Sequence, residues 1–166
     1  METPKVGIDD LSIYVPSLYL DLEDLAAARN LEYPKLRFGL GLAKMAVPDI
    51  HEDAATMAAN AVLELIQKNE LDPSTIGRIY IGTESALDGS KPIATYVLGM
   101  IEDQLEATYG SNALRNCDVV DLTFACIGAI DAMHNTLDWA RAYPGRQGIV
   151  VATDHAKYEL ESTGEY

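Results

Sequence analysis

Apolar positions recur along this chain with two periods. Between residues 52 and 69, Ala54, Met57, Ala58, Ala61, Val62, Leu65 and Ile66 follow one another in steps of three and four, one face of a helix. Asp72-Pro73 ends that pattern. Residues 126–142 predict a second helix, with Ile130, Met133, Leu137 and Ala140 on one side. Residues 93–107 predict a third, entered through Pro92, which the first turn of a helix tolerates. A short fourth, 22–29, is rich in Leu and Ala and is capped by Asp21. The other period is that of strands. Residues 6–15 (VGIDDLSIYV), 78–82 (RIYIG), 117–123 (CDVVDLT) and 148–153 (GIVVAT) are the four strand predictions. The last two are nearly continuous apolar runs, as strands covered on both faces should be. Residues 30–50, with Pro34, Pro48 and the run FGLGLAKM, read as loop.

Strands and helices alternate as βαβαβαβ. That order predicts an α/β domain with a mostly parallel sheet and helices on both faces. A length of 166 residues fits one domain. The apolar fraction of 48% and charged fraction of 23% are near the globular average and exclude a disordered or fibrous chain. Charge changes the picture more. With 12 basic and 26 acidic residues the formal net charge is −14, which repels phosphate backbones and anionic membranes. Neither a nucleic-acid nor a membrane partner is expected. Met1-Glu2-Thr3-Pro4-Lys5 does not resemble a secretory signal, and no run of about 18 apolar residues exists. The expected compartment is the cytoplasm, where cysteines stay free thiols.

Ligands of open α/β sheets bind at the carboxyl ends of the strands. Thr83, Glu84, Ser85 and Asp88 follow strand 78–82, Phe124-Ala125-Cys126 follows 117–123, and Asp154-His155 follows 148–153. Cys126 sits at a predicted strand-to-helix turn, where the helix dipole favours a thiolate and free N–H groups can hold an oxyanion. Gly128 lets a substrate come close to the backbone there. Free cysteines are more often small buried hydrophobes, and Cys117, at the start of a strand, reads that way. Glu84 suits a general acid or base at a pocket mouth, and Asp154 an orienting carboxylate, although local pattern alone favours a solvated loop residue for each. His51, His134 and His155 lack metal-ligand spacing, so no metal is expected. His134 lies too far along its helix to serve Cys126. Lys35, Arg37 and Lys44 form a local cluster of cations around FGLGLAKM, a candidate anion site.

These residues are familiar as a set. VGIDDLSIYVPS, RFGLGLAKMAV, EDAATMAANAV, IGRIYIGTESALDGSKP, the Ala-Cys of FACIGAIDA, and VVATDHAKY with STGEY resemble the N-terminal part of the 3-hydroxy-3-methylglutaryl-CoA synthase family, within the thiolase superfamily. The resemblance implies a thiolase-like half over residues 1–166 that stops before its last strand, with the C-terminal half absent. It implies an acyltransferase that joins acetyl-CoA, acetoacetyl-CoA and water into 3-hydroxy-3-methylglutaryl-CoA and CoA, in the mevalonate route to isoprenoids. Cys126 would carry the acetyl group as a thioester, Glu84 would act as acid and base, Asp154 would support the site, and Lys35 would lie near the CoA entrance. CoA thioesters are then the substrates and no tightly bound cofactor is needed.

Three departures accompany the likeness. Ile127 stands where the family usually has Tyr after the cysteine. The stretch from Glu84 to Cys126 is longer than usual, around residues 100–116. The family's catalytic histidine belongs to the second half. A lone half would expose an apolar helix face and a sheet edge, so a homodimer or a missing C-terminal half is the expected partner. Alternatives are another condensing enzyme of the superfamily, of the initiating ketoacyl synthase or polyketide β-branching type, or a non-catalytic interaction module.

Overall fold

The structure, a computed structural model, describes residues 5–162, 164 and 165. Thr163 and Tyr166 of the STGEY segment and the residues before Lys5 lie outside the described residues. The chain divides into two compact units.

The first unit runs to Tyr14 and resumes over Asp53–His155. Its sheet has three parallel strands: β3 (Ile76–Gly82) at the centre, β4 (Asp118–Leu122) on one side and β5 (Gln147–Ala152) on the other. Helix α2 (Ala54–Lys68) starts at a capping box: the Asp53 side chain accepts from Thr56 N–H, and the Thr56 side chain accepts from Asp53 N–H. Ala54, Ala58, Val62 and Ile66 of its apolar face are buried. They pack with Ile93, Val97 and Ile101 of α3 (Ile93–Tyr109) and with Ile79, Ile81, Ile149 and Val151 of the sheet. Helix α4 (Gly128–Ala142) covers the other face, so helices lie on both sides as expected.

Helix α4 packs differently from the expectation. The buried residues are Gly128, Ala132 and Thr136, spaced by four, while Ile130 is 43% exposed. The sheet supplies the reason. Gly82 lets the start of α4 come against its backbone, and Gly77 and Gly148 leave room for the Trp139 and Thr136 side chains, so the face with Gly128, Ala132, Thr136 and Trp139 turns to the sheet. The apolar stripe read from the sequence therefore points away from the sheet.

The segment 6–15, expected as a strand, is not one. Its β-branched and aromatic content suits a strand, yet Ile8, Leu11 and Ile13 are 69%, 63% and 71% exposed. A strand needs a second strand to pair with, and among the described residues none stands beside it. Side chains hold it instead. Ser12 Oγ donates to the Ala61 carbonyl (2.6 Å), and Lys68 pairs with Asp10 (2.8 Å).

The second unit comprises Val15–Glu52 and the segment from Ala156 onward. Here the sequence reading missed structure. β1 (Leu18–Asp21) and β2 (Lys44–Val47) form an antiparallel pair, and Lys35–Gly39 forms a π-helical turn inside the expected loop. Helix α1 (Leu22–Arg29) has the expected bounds, with Asp21 accepting from Glu23 N–H at 3.0 Å. Leu22, Leu25, Ala26 and Leu36 make a small core. Arg29 grips Glu165 through two hydrogen bonds of 2.9 and 2.7 Å.

Candidate active site

The three parallel strands end level with one another, since Gly82 is in register with Leu122 and with Ala152. A threonine follows each: Thr83, Thr123 and Thr153. Thr83 N–H donates to the Leu122 carbonyl and Thr153 N–H to the Gly82 carbonyl, both at 3.2 Å, which ties the three ends together. The Thr153 hydroxyl donates to the carbonyl of Ala54 at the start of α2 (2.9 Å). The residues just beyond this rim are the ones singled out above.

Cys126 lies in a 3-10 turn, Ala125–Ile127, that leads directly into α4. The turn is bent at Ala125, whose φ is 42°. That left-handed conformation is uncommon for a residue with a Cβ. Ile127 N–H and Gly128 N–H donate to the Phe124 carbonyl at 3.2 and 3.0 Å, so those two donors are occupied within the turn. The thiol of Cys126 faces Glu84, with Sγ 3.7 Å from Oε1. Both side chains are open to solvent.

Asp154 holds the loop that carries Glu84. Its Oδ1 accepts from Glu84 N–H (2.6 Å), from the Thr83 hydroxyl (3.1 Å) and from the Ser85 hydroxyl (3.1 Å). Ser85 Oγ accepts in turn from His155 N–H (2.9 Å), and Thr83 Oγ1 from Ser85 N–H (2.9 Å). Farther along the same loop, Asp88 accepts from the N–H groups of Ser90 and Lys91, and those bonds hold its carboxyl below the usual range.

The structure thus brings Cys126, Glu84 and Asp154 to one rim. Lys35 belongs to the second unit, where it pairs with Glu32 at 3.0 Å on an exposed surface. Lys44, of the same cation cluster, lies over the Tyr19 ring. His155 enters the network through its backbone, and His134 lies exposed on α4. Cys117 is half-buried; burial first and the Asp118 charge second push its thiol up to about 12. The Cα of Gly128, expected to face a ligand, faces the Leu122 carbonyl instead. One supporting residue escaped the sequence reading. Asp121, inside β4, accepts from Ile93 N–H (2.6 Å) and Ala94 N–H (3.1 Å) and so caps α3 from a neighbouring strand. The signal was an acid, Asp121, between Val120 and Leu122 in an otherwise apolar stretch, together with a helix entered through a proline.

A parallel sheet between helix layers, with a cysteine on a strand-to-helix turn facing a glutamate from the next strand end, defines a thiolase-like α/β half. The comparisons agree. Residues 3–164 match the family described as hydroxymethylglutaryl-coenzyme A synthase N terminal. The chain is 39% identical to the hydroxymethylglutaryl-CoA synthase of Haloferax volcanii, covering 97% of this chain and 36% of that protein. It is 35% identical to that of Enterococcus faecalis, covering 96% and 39%. Among solved structures, MvaS in complex with 3-hydroxy-3-methylglutaryl coenzyme A superposes with a TM-score of 0.83 at 37% identity, over 96% of this chain and 36% of that one. The chain belongs to the hydroxymethylglutaryl-CoA synthase family and corresponds to its N-terminal part. It spans little more than a third of the length of these relatives.

Proposed function

We propose that this chain supplies the N-terminal catalytic half of a hydroxymethylglutaryl-CoA synthase, with acetyl-CoA and acetoacetyl-CoA as substrates. The observation that carries the reading is the pairing of Cys126 Sγ with Glu84 Oε1 at 3.7 Å, on the strand ends of a family member. Cys126 sulfur attacks the acetyl carbonyl of acetyl-CoA, the carbon–sulfur bond to CoA breaks, and CoA leaves with the thiol proton. The acetyl group now sits on Cys126 as a thioester. Glu84 takes a proton from its methyl group, and the resulting enolate attacks the ketone carbon of acetoacetyl-CoA. The new alkoxide takes up a proton. Water then cleaves the bond to Cys126, which leaves a free carboxylate on the product and restores the thiol. Asp154 keeps Glu84 in place through the Glu84 N–H. Lys35 serves the CoA phosphates, a role its charge and exposure suit.

The family resemblance assigns the histidine that positions acetoacetyl-CoA to the C-terminal half, so on this reading condensation draws on that half as well. CoA thioesters are favoured over carrier-bound substrates by similarity. MvaS in complex with 3-hydroxy-3-methylglutaryl coenzyme A shares 37% identity with this chain, and the curacin-pathway synthase in complex with holo donor-ACP shares 27%, at a TM-score of 0.76.

The test is intact mass after brief exposure to acetyl-CoA, with Cys126→Ala beside it. One added acetyl group, lost in the variant, is the expected result. An adduct that persists in Cys126→Ala refutes the assignment of the nucleophile. So does the absence of any adduct on a protein that carries both halves.

A further inference from the structure

Gly82 ends β3 and Gly128 opens α4, and the two backbones meet. A Cβ on Gly82 would strike the backbone nitrogen of Ala129 and lie 2.7 Å from the carbonyl carbon of Gly128. A Cβ on Gly128 would strike the Leu122 carbonyl oxygen and lie 3.5 Å from Gly82 Cα. The obstructing atoms are backbone on both sides, so no change of rotamer makes room. Other tight glycines are unlike these two. Gly148 meets the Thr136 methyl group, and Gly77 meets the Trp139 ring and the Arg146 guanidinium, all of them side-chain atoms. Gly148 pairs with Arg78, toward the opposite end of the sheet from the rim.

Each glycine of the seam is two residues from a reactive side chain. Gly82 precedes Glu84, and Gly128 follows Cys126. The seam therefore joins the strand end that leads to Glu84 to the helix start that follows Cys126. We propose that Gly82 and Gly128 are positioning residues that set the distance from Cys126 to Glu84. A side chain at either position forces strand end and helix start apart and opens the 3.7 Å contact. Its catalytic meaning rests on the reaction proposed above. A displacement of about 1 Å at reacting groups can cost about a hundredfold in rate.

The experiment uses Gly82→Ala and Gly128→Ala, with Gly148→Ala as a control of similar tightness away from the site. The first readout is the Sγ to Oε1 separation in crystal structures of the variants, which does not depend on any activity. It should grow by about 1 Å in the two seam variants and stay put in the control. The second readout separates two steps in the protein that carries both halves. Acetyl loading needs Cys126, whereas exchange of the acetyl methyl hydrogens with deuterated solvent also needs Glu84. In that exchange a proton passes from the methyl carbon to the carboxylate, the electron pair moves to the thioester oxygen, and a deuteron returns. The seam variants should load within about threefold of the parent and lose exchange by about tenfold or more. Glu84→Asp, which draws the carboxylate back without touching the seam, should lose exchange likewise. An unchanged separation, an equal fall in loading and exchange, or a Glu84→Asp that exchanges like the parent would each overturn the proposal. So would seam variants that fail to fold where Gly148→Ala folds, because the seam would then serve folding. If the parent itself does not load, the proposed function fails, and the crystallographic distances still decide the spacing role.

Discussion

Removing the Asp121 carboxylate should weaken the entry to α3 by a predictable amount. Helix α3 begins after Pro92, which provides no side-chain cap. Its first N–H groups would be orphaned without help. Asp121 meets Ile93 N–H at 2.6 Å and Ala94 N–H at 3.1 Å from a half-buried position on β4. Losing a cap costs about 0.5–2 kcal/mol, and the carboxylate also opposes the positive end of the helix for about 0.3–1 kcal/mol. Asp121→Ala should therefore cost about 2 kcal/mol. Asp121→Asn keeps one acceptor and loses the charge, so about 1 kcal/mol is expected. In a domain of this size these losses lower Tm by about 4–8 °C and about 2–4 °C. Urea titration should show a lower midpoint with an unchanged slope. Hydrogen exchange should quicken at Ile93 and Ala94 in particular. Asp138→Ala, an exposed acid on α4, is the control and should stay within about 0.5 kcal/mol. An alanine variant as stable as the parent, or exchange at those two amides left unchanged, would refute the capping argument. The consequence reaches the site, because the loop from Thr83 to Pro92 carries Glu84 and is anchored at its far end by this cap.

Burial holds the Cys117 thiol up at about 12, while Cys126 is exposed. Iodoacetamide at about pH 8 should thus label the folded chain once, on Cys126, with Cys117 reacting only in denaturant; comparable labelling of both thiols in the folded chain would sink this. Asp10 is held at about 2, first by the hydrogen bond from Lys68. Its folded value is depressed, so the stabilisation is present above the unfolded value of about 3.9 and is lost as pH falls through about 2. The stability gap between the parent and Lys68→Met should be constant above about pH 5 and close toward pH 2; a gap that persists at pH 2 would assign it to packing. Asp154→Ala leaves three donors, one on buried Thr83, without their acceptor. It should cost about 1–3 kcal/mol and speed exchange at the Glu84 amide, and a change confined to distant amides would contradict the clamp.

What the sequence made legible was whatever one element states alone. Helix α2 announces itself by its apolar face and by the Asp72-Pro73 stop after it, and β4 and β5 by nearly continuous apolar runs. The rule that ligands gather at strand ends then led to Cys126, Glu84 and Asp154 before their contacts were known. Whatever depends on two elements was not legible. Residues 6–15 have the composition of a strand, but pairing decides whether they become one. The outward turn of Ile130 on α4 depends on glycines in β3 and β5. Asp121 looks like a blemish in an apolar strand until α3 is set beside it.

The same distinction bears on the site. Composition supplies a thiol and a carboxylate, and neither is unusual alone in a chain of net charge −14. Their proximity comes from residues outside the pair. Gly82 lets strand end and helix start touch, Ala125 turns the chain through a left-handed bend to present Cys126, and Asp154 fixes the Glu84 backbone from the third strand. Each of the three strands contributes one constraint, and their level ends make those constraints meet. A sequence that kept Cys126 and Glu84 but filled the glycine seam would retain both reactive groups and lose their contact. On the positioning role proposed for Gly82 and Gly128, the seam therefore decides, as much as the pair does, whether thiol and carboxylate meet.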